Sequence, residues 1–185
     1  MNITRLLLVT LLFSATFLSC RTSKIYHDQH KELGSIIDGS KVGKWKYFFD
    51  DGRLSREGRF SNGKEIGLWK YYHENGQLWQ VGKFKKGKQN GRWRFFYDNN
   101  IFQGKGYLND GRLTGKWIWY HENGKLYTER LFNNGKLVEI ISCFDGDGNA
   151  VDKGTFKNGN GTMNIHDIKG KIIDSVTYKD GDIVK

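Results

Sequence analysis

The chain has 185 residues, with 30 Lys and Arg against 20 Asp and Glu, for a net charge of +10. Its length suits one domain with a real core, and its two cysteines exclude a disulfide-dense scaffold. Proline is absent, which suits an extended sheet in which every backbone donor is needed.

Residues 1–19 open with one positive charge at Arg5, continue through an uncharged apolar stretch from Leu6 to Leu18, and end at Ser19. Charge, apolar segment and small residue in that order read as a secretory signal. The stretch is shorter than the roughly 20 apolar residues that a spanning helix needs. Ser19-Cys20 resembles the lipobox of bacterial lipoproteins, which implies that Cys20 is acylated and becomes the new N-terminus. Cys143 is then the one remaining thiol, and stability must come from packing. Residues 20–38 are expected to form a lipid-anchored linker and a degenerate cap, because Gly34 and Ile36 match Gly58 and Phe60 one period on. The repeat domain follows over 39–180, with 181–185 as the C-terminal end.

Within that domain Trp45, Trp69, Trp93 and Trp117 stand 24 residues apart, and Ile141 and Ile165 continue the column. Gly39, Gly63, Gly87, Gly111, Gly135 and Gly159 keep the same period, the signature of a repeat architecture. Each unit carries two turn signals. One falls at Asp51-Gly52, Asn75-Gly76, Asn99-Asn100, Asn123-Gly124, Asp147-Gly148 and Lys169-Gly170; the other falls at Asn62-Gly63, Asp110-Gly111, Asn134-Gly135 and Asn158-Gly159. Turns at that spacing leave short strands without helical periodicity, so the expected fold is all-β, an elongated single-layer antiparallel meander of about six hairpin repeats. At about 4.8 Å per strand each unit advances about 10 Å, which predicts one continuous body.

A two-residue turn at Asp51-Gly52 sets Trp45 opposite Gly58 and Gly43 opposite Phe60. The same rule sets Trp69 opposite Gly82, Gly67 opposite Phe84, Trp93 opposite Gly106 and Gly115 opposite Phe132. These glycines read as space for an indole lying over the neighbouring strand. Trp117 faces Arg130 instead, which predicts a cation–π contact.

The motif Gly43-Lys44-Trp45, repeated as Gly67-Leu68-Trp69, Gly91-Arg92-Trp93 and Gly115-Lys116-Trp117, resembles the MORN-repeat variant of bacteria. The resemblance covers about residues 39–180 and weakens in the last two units, where Glu139 and Met163 replace the glycine. It implies a twisted sheet with a scaffolding or binding role. Some relatives carry an antitoxin label, and eukaryotic MORN proteins are linked to phospholipids.

Alternation places Trp45, Tyr47, Leu54, Phe60 and their equivalents on a core face. The opposite face is expected to carry Lys46, Lys70 and Arg94 beside an aromatic column of Phe48, Tyr72, Phe96, Tyr120 and Phe144, with Trp79 and Tyr127 opposite two of these. An aromatic and basic stripe of this kind is the candidate binding surface. The positive charge belongs to the N-terminal two thirds, and its densest run is Lys83, Lys85, Lys86, Lys88, Arg92 and Arg94. The ladder Lys64, Lys88, Arg112 and Lys136 reads as turn solvation. His73 and His121 read as solvated residues outside any metal site. Asp145, Asp147 and Asn149 mimic the opening of a calcium loop, but Phe156 stands where its glutamate is required. Cys143 reads as a small buried apolar residue.

No nucleophile–base pair is apparent, so the expected role is a non-catalytic binding scaffold at a bacterial cell envelope, at the outer membrane in a Gram-negative cell. It needs no cofactor and no metal. Export favours an envelope protein, an anionic lipid or an anionic glycan as partner over nucleic acid. The alternatives are a phospholipid-head-group binding module and an antitoxin-like inhibitor of an exported partner.

Overall fold

The computed structural model describes residues 23–24 and 32–184, so the expected signal segment over 1–19 and Cys20 lie outside the described residues. The strands are β1 (Ser23–Lys24), β2 (Glu32–Ile37), β3 (Ser40–Phe48), β4 (Leu54–Ser61), β5 (Lys64–Tyr72), β6 (Leu78–Lys85) and β7 (Lys88–Phe96). They continue as β8 (Phe102–Asn109), β9 (Arg112–Tyr120), β10 (Leu126–Asn133), β11 (Lys136–Cys143), β12 (Gly161–His166), β13 (Ile172–Lys179) and β14 (Asp182–Val184). Each pairs antiparallel with its sequence neighbours in an 11-stranded sheet from β1 to β11 and a 3-stranded sheet from β12 to β14. The described residues form an all-β meander of consecutive hairpins, as the repeat spacing predicts, though the ladder is interrupted once.

Two turn types alternate. At Asn62-Gly63 both residues take positive φ, 48° and 71°, as a two-residue hairpin turn of the primed kind requires. The other turn is longer than expected. The Phe49 N–H donates to the Arg53 carbonyl at 2.8 Å, and the Gly52 N–H donates to the Phe49 carbonyl at 2.9 Å, which encloses a three-residue loop. A β-bulge just below it then pairs Tyr47 with Arg56 but Phe48 with Leu54. Loop and bulge each displace the register by one residue, in opposite directions. Trp45 therefore still faces Gly58, Trp69 faces Gly82 and Trp93 faces Gly106.

The bulge changes which residues share a face. Leu54, Leu78 and Phe102 pair with Phe48, Tyr72 and Phe96 and leave the tryptophan stripe where alternation had put Leu54. The extra residue of each bulge moves the other way. Trp79 meets Tyr71 and His73 at ring distances of 6.4 and 6.0 Å, and Tyr127 meets His121 at 4.7 Å, so both stand with the tryptophan face instead of the opposite one.

Trp45, Trp69 and Trp93 have no exposed surface and Trp117 has 2%. Each lies flat over a glycine of the preceding strand: a Cβ on Gly34, Gly58, Gly82 or Gly106 would stand 2.0 to 2.2 Å from the indole of Trp45, Trp69, Trp93 or Trp117. The glycine that each tryptophan faces across its own hairpin therefore receives the next indole along. Phe60 stands edge-on between Trp45 and Trp69, with centroids at 5.8 and 5.2 Å. Flat indoles, edge-on phenylalanines and tilted tyrosines let one sheet layer bury its own core. The glycine of the Gly-x-Trp motif acts differently from the packing space expected of it. Gly43, Gly67, Gly91 and Gly115 have φ of 65° to 86° and nothing within 4 Å of a Cβ. They supply a backbone angle that other residues resist.

Regularity fails in β11. Two bulges leave Leu137, Ile140 and Cys143 buried at three-residue spacing, and Ile140 instead of Ile141 pairs with Arg130. Arg130 also pairs with Trp117 as the register predicts. Its Nε, however, reaches Thr128 Oγ1 at 3.4 Å, and the cation–π contacts among the described residues do not include it. The Trp117 indole leans away over Gly106, which removes the ring from its reach. After β11 the ladder lapses. The Val151 N–H donates to the Cys143 carbonyl at 3.0 Å, then Gly154 turns the chain at φ 89°. Lys153 Nζ donates to the Ile140 and Ile141 carbonyls at 2.8 and 3.3 Å, and the Leu137 N–H donates to the Gly181 carbonyl at 2.9 Å. The smaller sheet shares a core with the larger one through Leu137, Ile140, Met163 and Tyr178.

Candidate binding face

The face opposite the tryptophans is built by strand pairing alone. One row crosses the strands as Lys46, Glu57, Lys70, Val81, Arg94, Lys105, Ile118 and Glu129, each the register partner of the next. A second row, two residues along each strand, carries Lys44 with Arg59, Leu68 with Lys83, Arg92 with Tyr107 and Lys116 with Leu131. Partners in register point to one side of a sheet, so from β3 to β10 these two rows set nine cations and two carboxylates on one face, and Glu139 of β11 follows Leu131 at its end. Both carboxylates are engaged. Glu57 accepts from the Tyr72 hydroxyl at 3.0 Å, and Glu129 accepts from Lys116 Nζ at 2.9 Å. Burial, together with the bond to Glu57, pushes the Tyr72 phenol up to about 12. The Lys116 bond holds the Glu129 carboxyl below its usual range. Among the described residues Lys46, Lys70 and Arg94 take part in no ion pair.

Shallow grooves recur between the cations. The first is lined by Lys44, Lys46, Glu57, Arg59, Leu68 and Lys70; the second by Leu68, Val81, Lys83, Arg92 and Arg94; the third by Arg92, Lys105, Tyr107, Lys116 and Ile118. Their volumes are about 260, 440 and 220 Å³. The aromatic column expected on this face is present but half-buried. Phe48, Tyr72, Phe96 and Tyr120 are covered by the residues the bulge delivers, with Phe102 at 5.5 Å from Phe96 and 5.3 Å from Tyr120. The surface available to a partner is therefore basic with apolar spacers, and Tyr107 is its exposed aromatic, at 45%.

The remaining candidates have structural partners. His73 Nε2 lies 2.9 Å from the Phe96 carbonyl and His121 Nε2 lies 2.9 Å from that of Phe144, so each ties one unit to the next instead of meeting solvent alone. Asn75 and Asn123 do the same through their amides to the Asp98 and Gly146 carbonyls. Asp145 accepts from the Asp147 and Asn149 N–H groups and from the Asn149 amide, which makes it the brace of its own turn. Cys143 lies 3.9 Å from His166 Nδ1, both buried, and burial pushes the thiol up, away from the thiolate a nucleophile needs. Among the described residues no group of three His, Cys, Asp or Glu could hold a metal ion.

The MORN repeat variant model matches residues 41–62, 65–86 and 113–134. Each segment covers one hairpin closed by the three-residue turn, so the chain carries MORN-variant repeats at these positions. No curated protein matches the sequence.

Proposed function

We propose that this chain is a non-catalytic binding scaffold, held at a bacterial cell envelope through lipid on Cys20, whose basic sheet face receives an anionic envelope component. The row of register-paired cations carries the reading. Lys46, Lys70 and Arg94 stand in line across a rigid sheet, while the acids beside them are engaged internally. A preorganised row of like charge is repulsive without a partner and complementary to a polyanion. The repeat architecture supports the same role, because a sheet of similar hairpins offers one extended surface instead of one enclosed pocket.

Crosslinking in native envelopes tests this. The full chain should capture an anionic component that a Lys46→Gln, Lys70→Gln, Arg94→Gln variant loses, and Cys20→Ala should leave the membrane fraction. Equal capture by wild type and the triple variant would sink the reading.

A further inference from the structure

The three grooves on the basic face are lined by equivalent positions one repeat apart, each with at least three cations. Lys44, Lys46, Leu68 and Lys70 of the first correspond to Leu68, Arg92 and Arg94 of the second and to Arg92, Lys116 and Ile118 of the third. Two strands separate successive grooves, a spacing of about 10 Å. An extended disaccharide has the same length. Between the cations the floor is apolar, with Leu68, Val81, Tyr107 and Ile118 placed where the C–H faces of sugar rings would rest.

Shape separates the possible polyanions. Antiparallel strands rotate by about 20 to 25° from one to the next, so successive grooves differ by roughly 45° and the outer two by about 90°. The bulge in every hairpin adds to that twist. A flat bilayer meets one groove at a time, whereas a linear polymer follows all three. Single-stranded nucleic acid needs exposed aromatic platforms for its bases. This face offers Tyr107, whose hydroxyl accepts from Arg92 at 2.8 Å while the guanidinium stands 5.4 Å from the ring centre.

Resting on the anionic-partner reading above, we infer that the face binds a linear anionic polysaccharide carrying one acidic group per disaccharide, laid across the strands with one disaccharide to each groove.

The experiment titrates the full chain with hyaluronate oligosaccharides of two to ten sugars. Neutral chitin oligosaccharides, an oligo-dT and phosphatidylglycerol–phosphatidylcholine vesicles serve as comparisons. Affinity should rise from two to six sugars and then level off, because three grooves are filled. Engaging three charges should also make hexasaccharide binding weaken more than disaccharide binding between 50 and 200 mM salt, through screening. Lys83→Glu, in the exposed middle groove, should return the hexasaccharide to disaccharide affinity. Tight binding to vesicles or oligo-dT with no length dependence for the sugar would overturn the polysaccharide inference and leave the anionic-partner reading standing. Neutral sugars binding as well as hyaluronate, or no probe binding at all, would overturn both.

Discussion

A Cβ on Gly82 would stand 2.2 Å from the Trp93 indole, whereas one on Gly91 would meet nothing within 4 Å but must be held at φ 86°. Ala at Gly82 is therefore expected to destabilise by overpacking, by about 1–3 kcal/mol, and Ala at Gly91 by left-handed backbone strain of about 1–2 kcal/mol. Trp93→Leu separates the two in urea titrations: it should couple to Gly82→Ala and leave the effect of Gly91→Ala unchanged. Equal coupling at both sites would contradict the assignment. The tryptophan–glycine pairing was legible in the sequence because both residues keep the same period. Which neighbouring strand the indole covers was not, since register fixes pairing and says nothing about the lean of a side chain. Tyr72 makes a second residue-scale prediction. Its phenol is raised in the folded chain, so the stability it contributes is present below the ordinary tyrosine pKa of about 10 and is lost as pH rises through about 12. Tyrosinate absorbance, compared between wild type and Tyr72→Phe, should show one phenol titrating near 12 and moving down in Glu57→Gln. An unchanged midpoint would show that the Glu57 bond does not matter.

Each hairpin owes its register to two compensating features, the three-residue turn and the bulge beneath it. Asp-Gly and Asn-Gly fit both a two-residue turn and the last positions of a longer one, so the sequence could not distinguish them. The difference cancels beyond the bulge, so alternation pairs Trp45 correctly and puts Leu54, Trp79 and Tyr127 on the wrong face. Lys46, Lys70 and Arg94 keep the face that alternation gives them because they lie on the far side of the bulge from the turn. Histidines at the turn have a role that no spacing rule reveals, a bond to the carbonyl one unit ahead. His121→Ala leaves the Phe144 carbonyl without that partner and should cost about 1–3 kcal/mol. Hydrogen exchange should rise around 121–125 and 143–150 and remain unchanged in β3 to β6. A uniform rise would point to a global role instead.

Across the whole molecule the fourfold Gly-x-Trp pattern made the regular sheet legible, while the departure at β11 was hidden in its two bulges. The expected single ladder instead ends there, and the chain builds a smaller sheet on a shared core of Leu137, Ile140, Met163 and Tyr178. A sheet of near-identical hairpins has a hazard of its own, because its last strand resembles an inner strand and invites the first hairpin of another copy. Here the outer backbone of β11 is engaged piece by piece: Gly181 takes the Leu137 N–H, the Lys153 ammonium takes two carbonyls, and Val151 takes that of Cys143. Lys153→Ala frees the Ile140 and Ile141 carbonyls, and sedimentation should then show association that grows with protein concentration. A variant that sediments as the wild type does would mean that the strand break alone suffices. On that expectation the lysine is a chain terminator, its two bonds closing the carbonyls on which a hairpin of a second molecule would continue the ladder.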